Sequence, residues 1–184
     1  MDRKKALINI DYTNDFVAAD GALTCGVPGQ KIEEEIVRIT KAFIDNQDYV
    51  VFAIDVHQAG DTLHPETKLF PPHNIEGTPG RKLYGALEEL FKANRADKNV
   101  YWMDKTRYSA FAGTDLELQL RARGITELHL VGVCTDICVL HTAFDAYNKG
   151  FELVIYQDAV ASFDQEGHAW ALRHFKGSLG ADVR

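Results

Sequence analysis

Five short apolar runs recur along this chain, each of strand length, with helical patterns between them. They are "KALINID" (5–11), "DYVVFAID" (48–55), "NVYWMDK" (99–105), "ELHLVGV" (127–133) and "FELVIYQD" (151–158). The stretches 50–54 and 151–156 are apolar nearly throughout, as strands covered on both faces must be. In between, "KIEEEIVRITKAFIDN" places Ile32, Ile36, Ile39 and Phe43 on one helical face. "KLYGALEELF" repeats Leu83, Leu87 and Leu90. "TDLELQLRARG" opens on a capping box, Thr114 with Glu117, and stops at Gly124. A further helix runs from about Cys138 to Gly150, and a last one covers 165–176 with Asp164 as its cap. Strands alternating with helices through short connections predict one α/β domain over 1–184. It is expected to be a three-layer α/β/α fold, with a parallel sheet of about six strands and helices on both faces. The final "GADVR" reaches only a short way into the last strand. In such folds ligands bind beyond the carboxyl ends of the strands.

Composition narrows the function classes. The 184 residues are 46% hydrophobic and 26% charged, the ordinary balance of a globular chain with one core. A net charge of -7, with no basic run longer than Arg3 to Lys5, disfavours nucleic acid as a partner. The basic start followed by "ALINI" looks like a leader, but five residues are too few for a secretory core of roughly 7–15. No apolar run approaches the roughly 18 residues of a membrane span. Three cysteines do not make a disulfide scaffold. The expectation is a cytoplasmic protein without a membrane partner.

Asp11, Asp55, the pair Asp104–Lys105 and the segment "GVCTDIC" (132–138) all fall at or just past strand ends. An aspartate there is often only a turn former. Four polar strand ends on one sheet edge make a stronger case for a shared crevice. Within "GVCTDIC", Thr135 or Asp136 can cap the following helix, which puts Cys138 in its first turn. Free backbone N–H groups and the helix dipole there favour a thiolate and could receive an oxyanion. Cys134 ends a strand and reads as a small buried hydrophobe. A nucleophilic thiol needs a proton acceptor, and often a cation nearby. Asp11 and Lys105 can fill those roles. His141, one helical turn from Cys138, is a rival base, and periodicity alone leaves a Cys–His dyad open.

The loop "DVHQAGDTLHPETKLFPPH" (55–73) gathers Asp55, His57, His64, Glu66 and His73. Its Gly60, Pro65, Pro71 and Pro72 mark irregular but ordered backbone. Imidazoles with carboxylates suit a borderline divalent ion such as zinc, iron or manganese. A polar surface loop that merely contains histidines is the plainer reading.

Together these residues resemble the nicotinamidases of the isochorismatase-like (cysteine hydrolase) superfamily. The likeness runs through "ALINIDYTNDF", "IDVHQAGDTLHPETKLFPPHNIEGTPG", "WMDKTRYSAFAGTDLE", "LVGVCTDICVLHTAFDA" and "GHAWALRHF", nearly the whole chain in family order. The resemblance implies a catalytic triad of Asp11, Lys105 and Cys138, with Cys134 a bystander and His141 non-catalytic. It implies one divalent ion, zinc first among the candidates, on Asp55, His57, Glu66 and His73. It also implies a cis peptide between Val133 and Cys134, and an oxyanion hole from the amides of Cys134 and Cys138. Phe16, Phe70, Trp102 and Tyr108 are similar to the walls that hold a pyridine ring. The implied activity is hydrolysis of nicotinamide, and of pyrazinamide, through a Cys thioester in NAD salvage, by a homo-oligomer. Other amide hydrolases of the superfamily, and a non-catalytic metal or thiol sensor using Cys134 and Cys138, are the alternatives.

Overall fold

The computed structural model describes residues 4–184; the first three residues of the domain expected over 1–184 lie outside that range. Six strands form one parallel sheet: β1 (Lys5–Ile10), β2 (Tyr49–Asp55), β3 (Val100–Lys105), β4 (Glu127–Val133), β5 (Glu152–Ala161) and β6 (Asp182–Val183). Their spatial order is β3-β2-β1-β4-β5-β6. Among the described residues the helices are α1 (Asn14–Val17), α2 (Val27–Lys31), α3 (Glu33–Asp45), α4 (Ala86–Asn94), α5 (Leu116–Ala122), α6 (Leu140–Asn148) and α7 (Gln165–Ser178).

Two apolar layers explain the composition of the strands. Leu7, Val50, Phe52 and Ile54 face α1, α3 and α4, where they meet Phe16, Ile36, Ile39, Phe43 and Leu87. Ile8, Ile10, Val51 and Ala53 face the other way, toward Leu116, Leu120, Ala143 and Phe175 of α5, α6 and α7. Successive strand residues alternate faces, so a strand between two helix layers must be apolar at every step. All seven residues of β2 are buried. Each large side chain fully removed from water contributes about 1.5–3 kcal/mol. The three-layer α/β/α expectation holds.

The differences from the sequence reading have local causes. β5 runs on to Ala161 because it carries an irregularity: Leu130 pairs with Ile155, but Gly132 pairs with Val160. The polar Gln157 and Asp158 project there, which is where the apolar pattern stopped. Helix α5 starts at Leu116 without a capping box. Thr114 Oγ1 donates to the Ala110 carbonyl at 2.6 Å, and Glu117 is drawn to Lys149 Nζ at 2.7 Å. Asp164 does cap α7, accepting from the amides of Glu166 and Gly167. Leu83 is buried, but it lies before α4, which begins after Gly85.

Gly132 sits where β4 leaves its register with β5, at φ 118°. A Cβ there would collide with the Ile10 carbonyl oxygen on the neighbouring strand. Only glycine accepts both that backbone angle and that approach. Gly132→Ala is therefore expected to lower unfolding stability by at least about 2 kcal/mol, read from the urea midpoint at unchanged slope. A change within about 0.5 kcal/mol, the range of a neutral surface substitution, would contradict this packing.

Candidate active site

The strand order reverses between β1 and β4, and the crevice at their carboxyl ends is where such sheets bind ligands. Asp11 follows β1 directly. It adopts a left-handed backbone (φ 55°) and is fully buried. Its Oδ1 accepts the amide of Asp55 at 2.7 Å, which ties the end of β1 to the end of β2. Lys105 closes β3 and is 1% exposed. Its ammonium lies 2.7 Å from Asp11 Oδ2, 3.8 Å from Asp55 Oδ1 and 3.7 Å from Cys138 Sγ, and it donates to the Arg107 carbonyl at 3.1 Å. Asp104 faces the opposite way, where it takes Trp102 Nε1 at 2.7 Å and pairs with Arg81.

Cys138 sits in a single π turn, Thr135–Val139, between β4 and α6. The peptide Val133–Cys134 is cis. Neither Thr135 nor Asp136 caps this turn. Cys134 holds the cap position, and its carbonyl accepts the amides of Ile137 and Val139 at 3.1 and 3.2 Å. The Thr135 hydroxyl is instead bonded to His168 Nδ1 at 2.8 Å.

Burial sets the protonation of this cluster. It pushes the Cys138 thiol well above its ordinary range, against the pull of Lys105. Burial thus opposes the thiolate that its helix-terminal position favours. Burial also raises Asp11, to about 6, although Lys105 opposes it. Burial would lower Lys105, but Asp11, Cys138 and Asp55 together hold it above its usual range. Burial would raise Asp55, and Lys105 with His57 and His73 brings it well below the usual carboxylate range.

Beside this cluster, Asp55, His57, Glu66 and His73 each offer a ligand atom, all within 4.8 Å of one another. His73 Nε2 is 3.6 Å from Asp55 Oδ2 and 3.5 Å from Glu66 Oε2. Neighbouring ligands on an ion with bonds of about 2.0–2.2 Å stand roughly this far apart. His73 Nδ1 donates to the Pro71 carbonyl at 2.7 Å, and its buried Nε2 has no hydrogen-bond partner. Orienting a metal-binding imidazole through its other nitrogen is the usual arrangement. The donor set therefore fits a divalent ion. His57 Nε2 lies 2.6 Å from Asp55 Oδ2. His64 stands apart: it accepts the Glu66 amide at Nδ1 and so donates from Nε2 to the Thr106 carbonyl, at 3.2 and 2.6 Å.

Phe16, Phe70 and Tyr108 line a small cavity with Cys138, Cys134 and Glu66. Leu23, Ile137 and Phe163 complete it, and none of the three carries a sequence signal beyond being apolar. Trp102 is not there. It packs on Phe91 at 5.1 Å between ring centroids, under Arg81, on the α4 side of the sheet. That placement removes it from the aromatic walls. His141 is exposed; its Nδ1 donates to the Ile137 carbonyl at 2.7 Å, and the thiol meets Lys105 and Asp11 instead. Cys134 faces Cys25, with sulfurs 3.2 Å apart, and all three cysteines are free.

Asn74, absent from the sequence reading, joins two of the possible ligands. Its backbone is left-handed (φ 45°), its carbonyl accepts the His57 amide at 3.1 Å, and its own amide donates to Asp15 Oδ2 at 2.7 Å. Arg81 Nε likewise donates to the Asp55 carbonyl at 2.8 Å.

Residues 5–184 match the isochorismatase domain family. The chain is 69% identical over 180 residues to the uncharacterized isochorismatase family protein PncA of Bacillus subtilis, covering 98% of each chain. It superposes on the crystal structure of nicotinamidase/pyrazinamidase PncA from Bacillus subtilis with a TM-score of 0.97 and 68% identity, again over 98% of both chains. The crystal structure of the pyrazinamidase of Pyrococcus horikoshii in complex with zinc is 29% identical, with a TM-score of 0.85 and 98% of both chains covered. A six-stranded parallel sheet with these residues at its switch point, and similarity along nearly its whole length, place this chain in the isochorismatase family.

Proposed function

We propose that this protein is a nicotinamidase, hydrolysing nicotinamide to nicotinate and ammonia and accepting pyrazinamide as well. The observation that carries the reading is the buried ammonium of Lys105, in contact with both Asp11 and Cys138, of which Cys138 lines an aromatic cavity. A carboxyl group raised to about 6 is suited to exchanging protons near neutral pH. Asp11 takes the Cys138 proton, and the negative charge passes from carboxylate to thiolate while Lys105 touches both. The thiolate attacks the carboxamide carbon, and the amides of Cys134 and Cys138 receive the oxyanion. Asp11 returns the proton to the departing nitrogen as the C–N bond breaks. Water, deprotonated by Asp11, then cleaves the thioester and frees nicotinate and the thiol.

A divalent ion held by Asp55, His57, Glu66 and His73, zinc first and iron or manganese next, would supply a Lewis acid for the pyridine nitrogen and for water. Phe16, Phe70 and Tyr108 sandwich the ring. The zinc-containing pyrazinamidase relative supports that choice of metal. Family likeness further supports a homo-oligomer in the cytoplasm. Among the described residues no helix is long and apolar enough to cross a membrane.

The triad assignment predicts that Cys138→Ala abolishes ammonia release, whereas Cys134→Ala keeps most of it. Asp11→Asn is expected to lose about 10²–10⁴-fold in acylation rate and His141→Ala only a few-fold. A damaging His141→Ala beside a benign Asp11→Asn would install the Cys–His dyad instead.

Asp15 anchors Asn74, and through it the backbone of His57 and His73. Asp15→Ala should therefore weaken zinc binding about 10–100-fold in calorimetry, the usual effect of losing an outer-shell partner. Unchanged affinity would show that the two histidines hold position without it.

Substrate choice tests the ring nitrogen. Nicotinamide and pyrazinamide both place a nitrogen meta to the carboxamide carbon; benzamide has the same amide and shape without one. Its kcat/KM should fall by more than the roughly 1–3 kcal/mol of a methylene-sized misfit. Turnover of benzamide within a few-fold of nicotinamide would leave positioning to the aromatic walls alone.

A further inference from the structure

The mechanism uses the thiol of one of the three cysteines and leaves the other two thiols unexplained. Cys25 lies just before α2 and Cys134 just after β4, 109 residues apart in sequence, yet their sulfurs are 3.2 Å apart in the same buried layer. The two are not equivalent. Cys134 lines the cavity together with Cys138, whereas Cys25 does not line it. Cys25 is also fixed in place, since its amide donates to the Phe16 carbonyl at 2.8 Å. One thiol can thus be reached from the cavity, and the other is already positioned to resolve it. Redox-sensitive cysteines often sit next to such a resolving thiol, although contact with Cys25 and burial hold the Cys134 thiol above its ordinary range.

We propose that Cys25 and Cys134 form a reversible disulfide on exposure to a hydroperoxide, a modification site that also switches the neighbouring catalytic turn. The Cys134 sulfur attacks one peroxide oxygen, the O–O bond breaks, and Cys134 sulfenic acid and water form. The Cys25 sulfur then attacks the Cys134 sulfur; the S–S bond forms, the S–O bond breaks, and a second water leaves with the Cys25 proton. Two thiols are oxidised by two electrons and one hydrogen peroxide is reduced to two waters. Bond formation draws the sulfurs inward, and the Cys134 backbone moves with them. In the proposed mechanism that backbone carries one oxyanion donor, and a displacement of about 1 Å at such a position costs on the order of 100-fold in rate.

The experiment treats the full-length protein with hydrogen peroxide, alkylates the remaining thiols and maps the peptides by mass. A Cys25–Cys134 cross-linked peptide is expected in the wild type and equally in Cys138→Ala, where no nucleophile can relay the oxidation. Dithiothreitol should remove it. A Cys134–Cys138 bridge in its place, or Cys25 still open to alkylation after Cys134 has been consumed, overturns the proposal. In the wild type, ammonia release should fall at least about tenfold in the linked form and return with dithiothreitol. Loss that follows Cys138 oxidation while Cys25 and Cys134 stay free also overturns it. The peptide map does not depend on the nicotinamidase reading, whereas the activity measurement does. A bridge without any assayable activity would therefore count against that reading and not against the modification site.

Discussion

The buried ammonium of Lys105 is the interaction around which the carboxyl end of the sheet is organised. A charge that is 1% exposed survives only with close opposite charge and satisfied donors. Lys105 obtains both from four segments at once: Asp11 after β1, Asp55 at the end of β2, Arg107 beyond β3 and Cys138 before α6. Removing one partner of such a buried pair typically costs about 3–5 kcal/mol. The strand ends are therefore coupled to one another through this cation, and not only through their backbone ladders. The coupling is also directional. β3 pairs Lys105 with Asp55 in register, and strand alternation then sends Asp104 outward to Arg81 and Lys105 inward to Asp11.

That same burial acts on the Cys138 thiol. Seen from the sequence, a helix-terminal cysteine beside a lysine looks primed as a thiolate. In the folded chain, desolvation works against the cation and pushes the thiol up. Asp11 is raised by the same desolvation, to about 6. Thiol and carboxyl lie in contact, both shifted upward by the same desolvation.

Much of this is legible in the sequence. Period-two strands with apolar residues at every step required two helix layers, and polar residues at Asp11, Asp55 and Lys105 marked the edge where those strands end. The loop from 55 to 73 contained the residues that the structure brings within 4.8 Å. Three histidines in that loop do not declare which of them faces inward. His64 is separated from the others only by its bonds to Glu66 and Thr106. Trp102 misled because an aromatic residue near a strand end carries no label for the face it occupies; β3 turns it toward Phe91. Local capping rules failed where longer contacts competed for the same oxygens. His168 takes the Thr135 hydroxyl, and Lys149 takes the Glu117 carboxylate.

The motif "GVCTDIC" shows most sharply what spacing can and cannot reveal. Two cysteines four positions apart invite a reading as one unit, a disulfide or a metal pair. The turn that carries them instead gives each a different neighbourhood. Cys138 is directed to the charge cluster formed by β1 and β3, and Cys134 to a thiol supplied by the segment before α2. Neither neighbour lies within 25 residues in sequence, so no local pattern could have assigned them. The chemistry of a buried thiol is set by what the tertiary structure places against its sulfur: a cation and a carboxyl group beside Cys138, and a second thiol beside Cys134. The motif fixes the position of the turn, and the packing of distant segments against it determines what each sulfur can do.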